Sequence, residues 1–453
     1  MLMKPGNLRL LFLFIPFFSL AQDSSFQLKD YKFRTPGFQA LFVNFGLSGS
    51  LSDSKSLTAN DQSYKSFNLL PSNITYNKII STDRRLHNSS LNLIPNFYSI
   101  KETRNNEERV YNSSSASFSW SRNDRFYKNN LWFFELGNVL SASGNRKRNN
   151  EPVLQTKENN VFVNNTVIVG IGKGRIEQVQ DAQMALYILK DLKEQGLLDG
   201  EVTPALSNSF AQLITDINNR RVFDFRRRRI YELTRIDSFL NNSGLVNKSD
   251  IRHFTIVNDD WAFAINPYRR HGTAWFARLK PTVGYSRTYS KLVNAFHYES
   301  TRENSYLSLS PEIGIEKYVA VNLKWQHNMG ASISYEATRD HTIQKNIAPN
   351  NNFEEEYNND YSNFNFSGFA GLGYFPNTRT QVGGTLTANV IYFDDKKIIF
   401  APELNVFANY FIGYRTYLNA NGSIFYNDDK LPNFYHNKQL NVNAGISISH
   451  ILF

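Results

Sequence analysis

The feature that most constrains this chain is a two-residue alternation of apolar and polar side chains that recurs in segment after segment beyond residue 270. From Val319 the odd positions read Val319, Val321, Leu323, Trp325, His327, Met329, Ala331, Ile333 and Tyr335, and the even ones Asn322, Lys324, Gln326, Asn328, Gly330, Ser332, Ser334 and Glu336. Successive side chains on a strand point to opposite faces, so such a run offers one face to hydrocarbon and the other to water. Strands of soluble proteins run about five or six residues, whereas a tilted strand that crosses a bilayer needs about ten. The same pattern returns over residues 364–374, 382–392, 400–410 and 440–448, with Tyr374, Tyr392, Phe400 and Tyr410 near the segment ends, where an interfacial girdle of aromatics belongs.

Composition supports a wall of strands over a bundle of spanning helices. Phe (36) and Tyr (24) dominate an aromatic fraction of 14%, yet the mean hydropathy is −0.43, and beyond residue 21 no stretch approaches the roughly 18 apolar residues of a spanning helix. Cysteine is absent, which removes disulfides, thiolate metal sites, cysteine nucleophiles and a lipid-bearing cysteine. The net charge of +10 is scattered along the chain, so no nucleic-acid partner is expected. Residues 1–21 read as a signal peptide: Lys4 and Arg9 precede an apolar run over 10–20, and Ser19-Leu20-Ala21 fits the small-x-small cleavage rule.

The expected fold is therefore an all-β transmembrane antiparallel barrel of about 12–14 strands, with strands over 22–174 and 245–453. Glu316-Lys317-Tyr318, residues 375–378 and residues 411–414 look like tight turns. The polar runs 340–359, 394–397 and 427–433 look like the longer links of the opposite end, and the polar runs 104–108 and 144–151 separate strands of the first third. Overlapping the run 340–359, residues 350–360 read as a solvated loop, because Glu354-Glu355-Glu356 lacks the spacing of a calcium loop.

Residues 175–244 break the pattern and predict an α-helical insert of about three helices, a periplasmic subdomain or a plug. Ile176, Val179, Ala182, Leu186, Leu189 and Leu192 make an apolar stripe ending near Gly196. Thr203-Pro204 caps a second helix, and Asp224 a third that stops at Asn242-Ser243-Gly244. Arg226, Arg227, Arg228 and Arg229 are candidates for docking a periplasmic protein, lipid phosphate or peptidoglycan, set against an ordinary solvated helix face.

Chemistry-bearing motifs are sparse. Gly170-Ile171-Gly172-Lys173-Gly174 lacks the spacing of a phosphate loop and reads as a flexible passage from wall to helix. Asp259-Asp260 and Asp394-Asp395 are carboxylate pairs flanking strands, and none of the eight histidines sits in a catalytic motif. No catalytic, cofactor or metal residues are assigned.

The C-terminal Phe453 closing an amphipathic strand resembles the assembly signal of outer-membrane barrels. Ile451 and Phe453 nevertheless fall on the opposite parity from residues 440–448, which requires a bulge or a departure from the ladder near Ser449. Together with the Asn-, Phe- and Tyr-rich composition and the insert opened by residues 170–177, the chain resembles a Bacteroidetes-type family of outer-membrane barrels of no assigned activity. The resemblance implies outer-membrane lipid and the barrel assembly machinery as partners and carries over no site residues. The leading expectation is a channel or transport component for small solutes in the outer membrane, with Gln381, Thr385, Thr387, Asn405, Asn441 and Asn443 lining the lumen. The alternatives are a non-conducting scaffold and a barrel hydrolase.

Overall fold

The computed structural model describes residues 26–54, 62–104, 107–128, 131–151, 155–220, 225–246, 250–262, 269–293, 297–349, 351–394, 397–413, 416–430 and 436–450. The signal-peptide expectation, Asp224, Asp395 and the C-terminal Phe453 fall outside these residues.

Fourteen strands form a single antiparallel sheet in which each pairs with its sequence neighbours. They are β1 (Thr35–Ser54), β2 (Gln62–Ser81), β3 (Arg85–Arg104), β4 (Glu107–Tyr127), β5 (Trp132–Asn150), β6 (Gln155–Gln178), β7 (Arg270–Val293), β8 (Tyr298–Ala320), β9 (Trp325–Ala348), β10 (Asn351–Tyr374), β11 (Thr380–Phe393), β12 (Ile398–Gly413), β13 (Thr416–Lys430) and β14 (His436–His450). Four helices lie between β6 and β7: α1 (Gln180–Glu194), α2 (Pro204–Asn219), α3 (Phe225–Asn242) and α4 (Ile251–Ala262). This is the wall of a β-barrel carrying a helical insert. The edges are β1 and β14, and no ladder joins them among the described residues.

The sheet is rolled. Arg34, just before β1, bonds Glu177 at the end of β6 at 2.9 Å, and Arg175 of β6 reaches the Ser81 hydroxyl and the Thr82 carbonyl at the end of β2 at 2.9 and 2.7 Å. In a flat sheet, strands five apart would be separated by roughly 24 Å at the usual spacing of about 4.8 Å.

Exposure alternates along the strands. On β5, Trp132, Phe134 and Leu136 are 43–45% exposed, while Phe133 and Glu135 between them are 3% and 0%. The outward face carries aromatics in pairs ten residues apart: Trp275 and Tyr285 on β7, Trp325 and Tyr335 on β9, Phe364 and Tyr374 on β10, Phe400 and Tyr410 on β12. Ten residues of a strand tilted by about 40° rise roughly 25 Å, the height of the apolar band of outer-membrane barrels.

Several boundaries differ from expectation. Glu316-Lys317-Tyr318 lies inside β8, and the reversal falls at residues 321–324, so the run read as one strand from Val319 is the end of β8 and the start of β9. Alternation continued through the short turn and concealed it. Residues 340–359 form the paired arms of the β9–β10 hairpin, in register from Asp340↔Asn359 to Ala348↔Asn351. Opposite charges hold the arms together, with Lys345–Glu354 at 2.7 Å and Arg339–Asp360 at 3.0 Å. Residues 144–150 likewise belong to β5. Polarity marks where these strands leave hydrocarbon, and pairing goes on beyond it.

The insert begins at Gln180, five residues later than expected, because β6 extends to Gln178, and it contains a fourth helix in a stretch expected to form strands. Asp259 and Asp260 belong to that helix. The expected stops and caps of the first three helices stand where they can be described: Gly196 and Gly244 take positive φ, and the Thr203 hydroxyl accepts from the Leu206 amide at 3.2 Å. The helices share a core with the N-terminal segment, where Leu28, Tyr31 and Phe33 pack with Ile188, Leu192, Phe210, Ile214 and Trp261.

Candidate functional site on the inner face

The inner face at the short-turn end concentrates charge. The Glu135 carboxylate, fully buried on β5, accepts from Arg278 of β7 at 2.6 Å, Arg125 of β4 at 3.1 Å and Asn123 at 2.7 Å. Glu312 of β8 lies 3.3 Å from Lys280 and 3.7 Å from Arg278. The cations also stack on rings, Arg278 over Phe276 at 3.7 Å, Arg125 over Phe133 at 4.8 Å and Arg175 over Tyr127 at 4.8 Å. Cations stacked on rings and tied to buried carboxylates form a fixed lattice, since each guanidinium is held at both its face and its edge.

Two glycines make this lattice possible. Arg278 must cross β6 to reach Glu135, and it crosses over Gly170, where an added Cβ would lie 2.9 Å from the Arg278 Cγ and 2.8 Å from the Ala277 carbonyl. At Gly172 a Cβ would collide with the Phe133 ring and the Trp275 carbonyl. The glycine run therefore lies within β6 and is not the passage from wall to helix. Its bare backbone makes room for side chains from the strands on either side.

Below this lattice sits the helical unit. Arg269, fully buried, donates to the carbonyls of Leu323, Asn322 and Trp325 at 2.6, 2.8 and 2.8 Å and to the Gln326 side chain at 3.1 Å, gripping the β8–β9 turn. The Tyr187 hydroxyl of α1 donates to the Leu323 carbonyl at 3.2 Å and to that of Phe375. Asp260 accepts from Thr378 at 3.2 Å, and Asp259 pairs with Arg379, so α4 sits on the β10–β11 turn. On the other side, the Gln212 amide of α2 donates to the Arg34 carbonyl at 3.2 Å, and Tyr31 bonds Thr215 at 2.5 Å. Thr215 in turn donates to the buried Asp181. Burial pushes the Asp260 carboxyl up to about 7, helped by nearby Asp191 and Asp259, and burial lifts Asp181 to about 6.

The unit thus touches the start of β1 and the ends of β8 to β11. In a rolled sheet of 14 strands these lie on opposing arcs. The wall residues it meets, including Ile79, Ala320 and Gln326, stand within a few positions of strand ends, at the mouth of the roll and not deep within it.

The residues singled out from sequence fall in two groups. Gln381, Thr385 and Thr387 on β11, Asn405 on β12, and Asn441 and Asn443 on β14 share the face opposite Val382, Leu386, Leu404 and Val442, with Thr385↔Asn405 a direct pair. Their strands stand apart from the charge lattice of β4 to β8. Of the arginine run, Arg226 and Arg227 are exposed on α3. Arg228 bonds Glu232 at 2.7 Å, and Arg229 bonds the Asn258 carbonyl at 2.8 Å. Glu232 also accepts from the Trp261 indole at 2.7 Å, so half of the run fastens α3 to α4. Sequence reasoning missed Glu135, Arg278 and Arg269. The first two left a signal, single charges at alternating positions among aromatics.

No protein-family model matches the chain, and no curated protein matches it. Among solved structures it is similar to the ferric yersiniabactin uptake receptor FyuA from Yersinia pestis, with 7% identity and a TM-score of 0.35, covering 86% of this chain and 61% of that one. The chain spans about three fifths of the length of that receptor.

Proposed function

We propose that the chain is an outer-membrane β-barrel that acts as a gated channel or transport component for small solutes, with its periplasmic mouth covered by the helical unit. The observation that carries this reading is the anchoring of one helical body to opposing arcs of the roll, beneath an inner face lined with polar and charged groups. Short turns belong to the periplasmic side of such barrels, which orients the unit inward and the long β9–β10 hairpin outward. Gln381, Thr385, Thr387, Asn405, Asn441 and Asn443 then face the lumen, and Glu135, Arg125 and Arg278 form its charged constriction.

Planar-bilayer recording tests this. The full chain conducts little or intermittently, and Arg269→Ala, which releases the β8–β9 turn, raises the open fraction at least several-fold. A second reading, a scaffold that never conducts, is favoured by the exposed Arg226 and Arg227 on α3, which suit docking onto an acidic periplasmic partner. If neither the full chain nor the released variant conducts, the scaffold reading takes its place.

A further inference from the structure

Near the short turns the outward face carries a cluster of paired charges, beside single cations such as Lys173 and Lys317. Arg85 and His87 on β3 and Arg122 and Asp124 on β4 have the same parity as the exposed Phe126, which pairs with Arg85, as His87 pairs with Asp124. Asp124 in turn pairs with the exposed Leu136 of β5. Asp124 is 1% exposed because its neighbours cover it. One carboxylate oxygen accepts from Arg85 Nε and Nη2 at 3.0 and 2.7 Å and from His87 Nδ1 at 2.8 Å, and the other from Arg122 Nε at 2.6 Å. Two guanidinium groups thus share one carboxylate, so the cluster keeps a surplus positive charge. The side chains of Arg85 and Arg122 remain 37% and 45% exposed. The Arg122 bond to Asp124 is made through Nε.

A charged cluster turned toward hydrocarbon is costly at mid-membrane and nearly free at the interface. At this level β5 to β7 carry the Trp132–Trp275 pair, with ring centroids 5.0 Å apart and the Lys173 ammonium over the Trp132 ring at 5.7 Å. Here a carboxylate instead holds two guanidinium forks in place, between Phe126 and Leu136, which offer apolar surface for acyl chains. Preorganised guanidinium forks match phosphate oxygens, and a cluster with excess positive charge discriminates by headgroup charge.

From this geometry we infer that Arg85, His87, Arg122 and Asp124 form a binding site for the phosphate headgroup of an anionic phospholipid in the leaflet nearest the short turns. The inference rests on the outward face meeting lipid, so the experiment reads membrane insertion separately. The full chain is reconstituted in nanodiscs of phosphatidylcholine with one fifth phosphatidylglycerol, and the lipids retained after release are counted by native mass spectrometry. Heat-dependent migration on gels reports the folded, inserted barrel.

The expected result is at least threefold enrichment of phosphatidylglycerol over its bulk fraction. The enrichment is lost in the charge-neutralised R85Q/R122Q/D124N variant, which removes the buried carboxylate with its partners, and is partly kept in R122K. Inorganic phosphate at millimolar concentration does not displace the lipid. Absence of enrichment in the folded wild-type chain overturns the proposal whatever the variants do, as does equal enrichment in the folded neutral variant. Displacement by inorganic phosphate reassigns the site to free anions and also overturns it. A chain that never enters the nanodisc defeats the barrel reading instead.

Discussion

At the scale of single residues, the inner face shows how one strand can serve its neighbours by having no side chains. Gly170 and Gly172 of β6 are spaces filled by Arg278 and Phe133. Gly170→Ala is expected to cost about 1–3 kcal/mol, because the added carbon meets a backbone carbonyl as well as a movable side chain; denaturant midpoints of the refolded barrel measure it. Only the pairing register, β5 with β6 and β6 with β7, explains these glycines, and a single sequence gives no view of it.

Asp260 gives a second prediction at this scale. Its carboxyl is raised to about 7 in the folded chain from an ordinary value of 3.8. Between those values the unfolded chain gives up this proton and the folded chain keeps it, so stability falls as pH rises from about 4 to about 7 and then levels off. Asp181, raised to about 6, acts in the same direction. Asp260→Asn keeps an acceptor for Thr378 and is expected to stabilise α4 docking by about 1–3 kcal/mol at pH 8, with little effect at pH 4. Hydrogen exchange of α4 amides at the two pH values measures this; an equal gain at both contradicts it.

At the scale of elements, the helices were the most legible part of the insert and its anchors the least. Thr203-Pro204, Gly196 and Gly244 mark helix ends by local rules, and each acts where expected. Thr203→Ala is expected to lower the stability of α2 by about 1 kcal/mol through the lost cap, read as faster exchange in its first turn. Arg269 belongs to no motif, because its acceptors are backbone carbonyls more than 50 residues away. Its loss leaves buried acceptors unpaired, and Arg269→Ala is expected to cost about 2–4 kcal/mol of docking, seen as rapid proteolysis between α4 and β7. Strand faces were legible from period two alone, and strand ends were not. In 340–359 polar residues pair into strands, and near 321 apolar alternation runs through a turn.

At the scale of the whole molecule, the chain is a rolled wall whose outward side chains meet lipid and whose inward ones meet water. The absence of cysteine means that single cysteines can be introduced for spin labelling without background. The most direct measurement is a nitroxide scan of residues 364–374 on β10 in the reconstituted full chain, recording collision with oxygen and with a polar nickel complex. The account predicts oxygen maxima at Phe364, Phe366, Gly368, Ala370 and Leu372 and nickel maxima at Asn365, Ser367, Phe369, Gly371 and Gly373, out of phase along the strand. Uniform access to the nickel complex at both parities would contradict it.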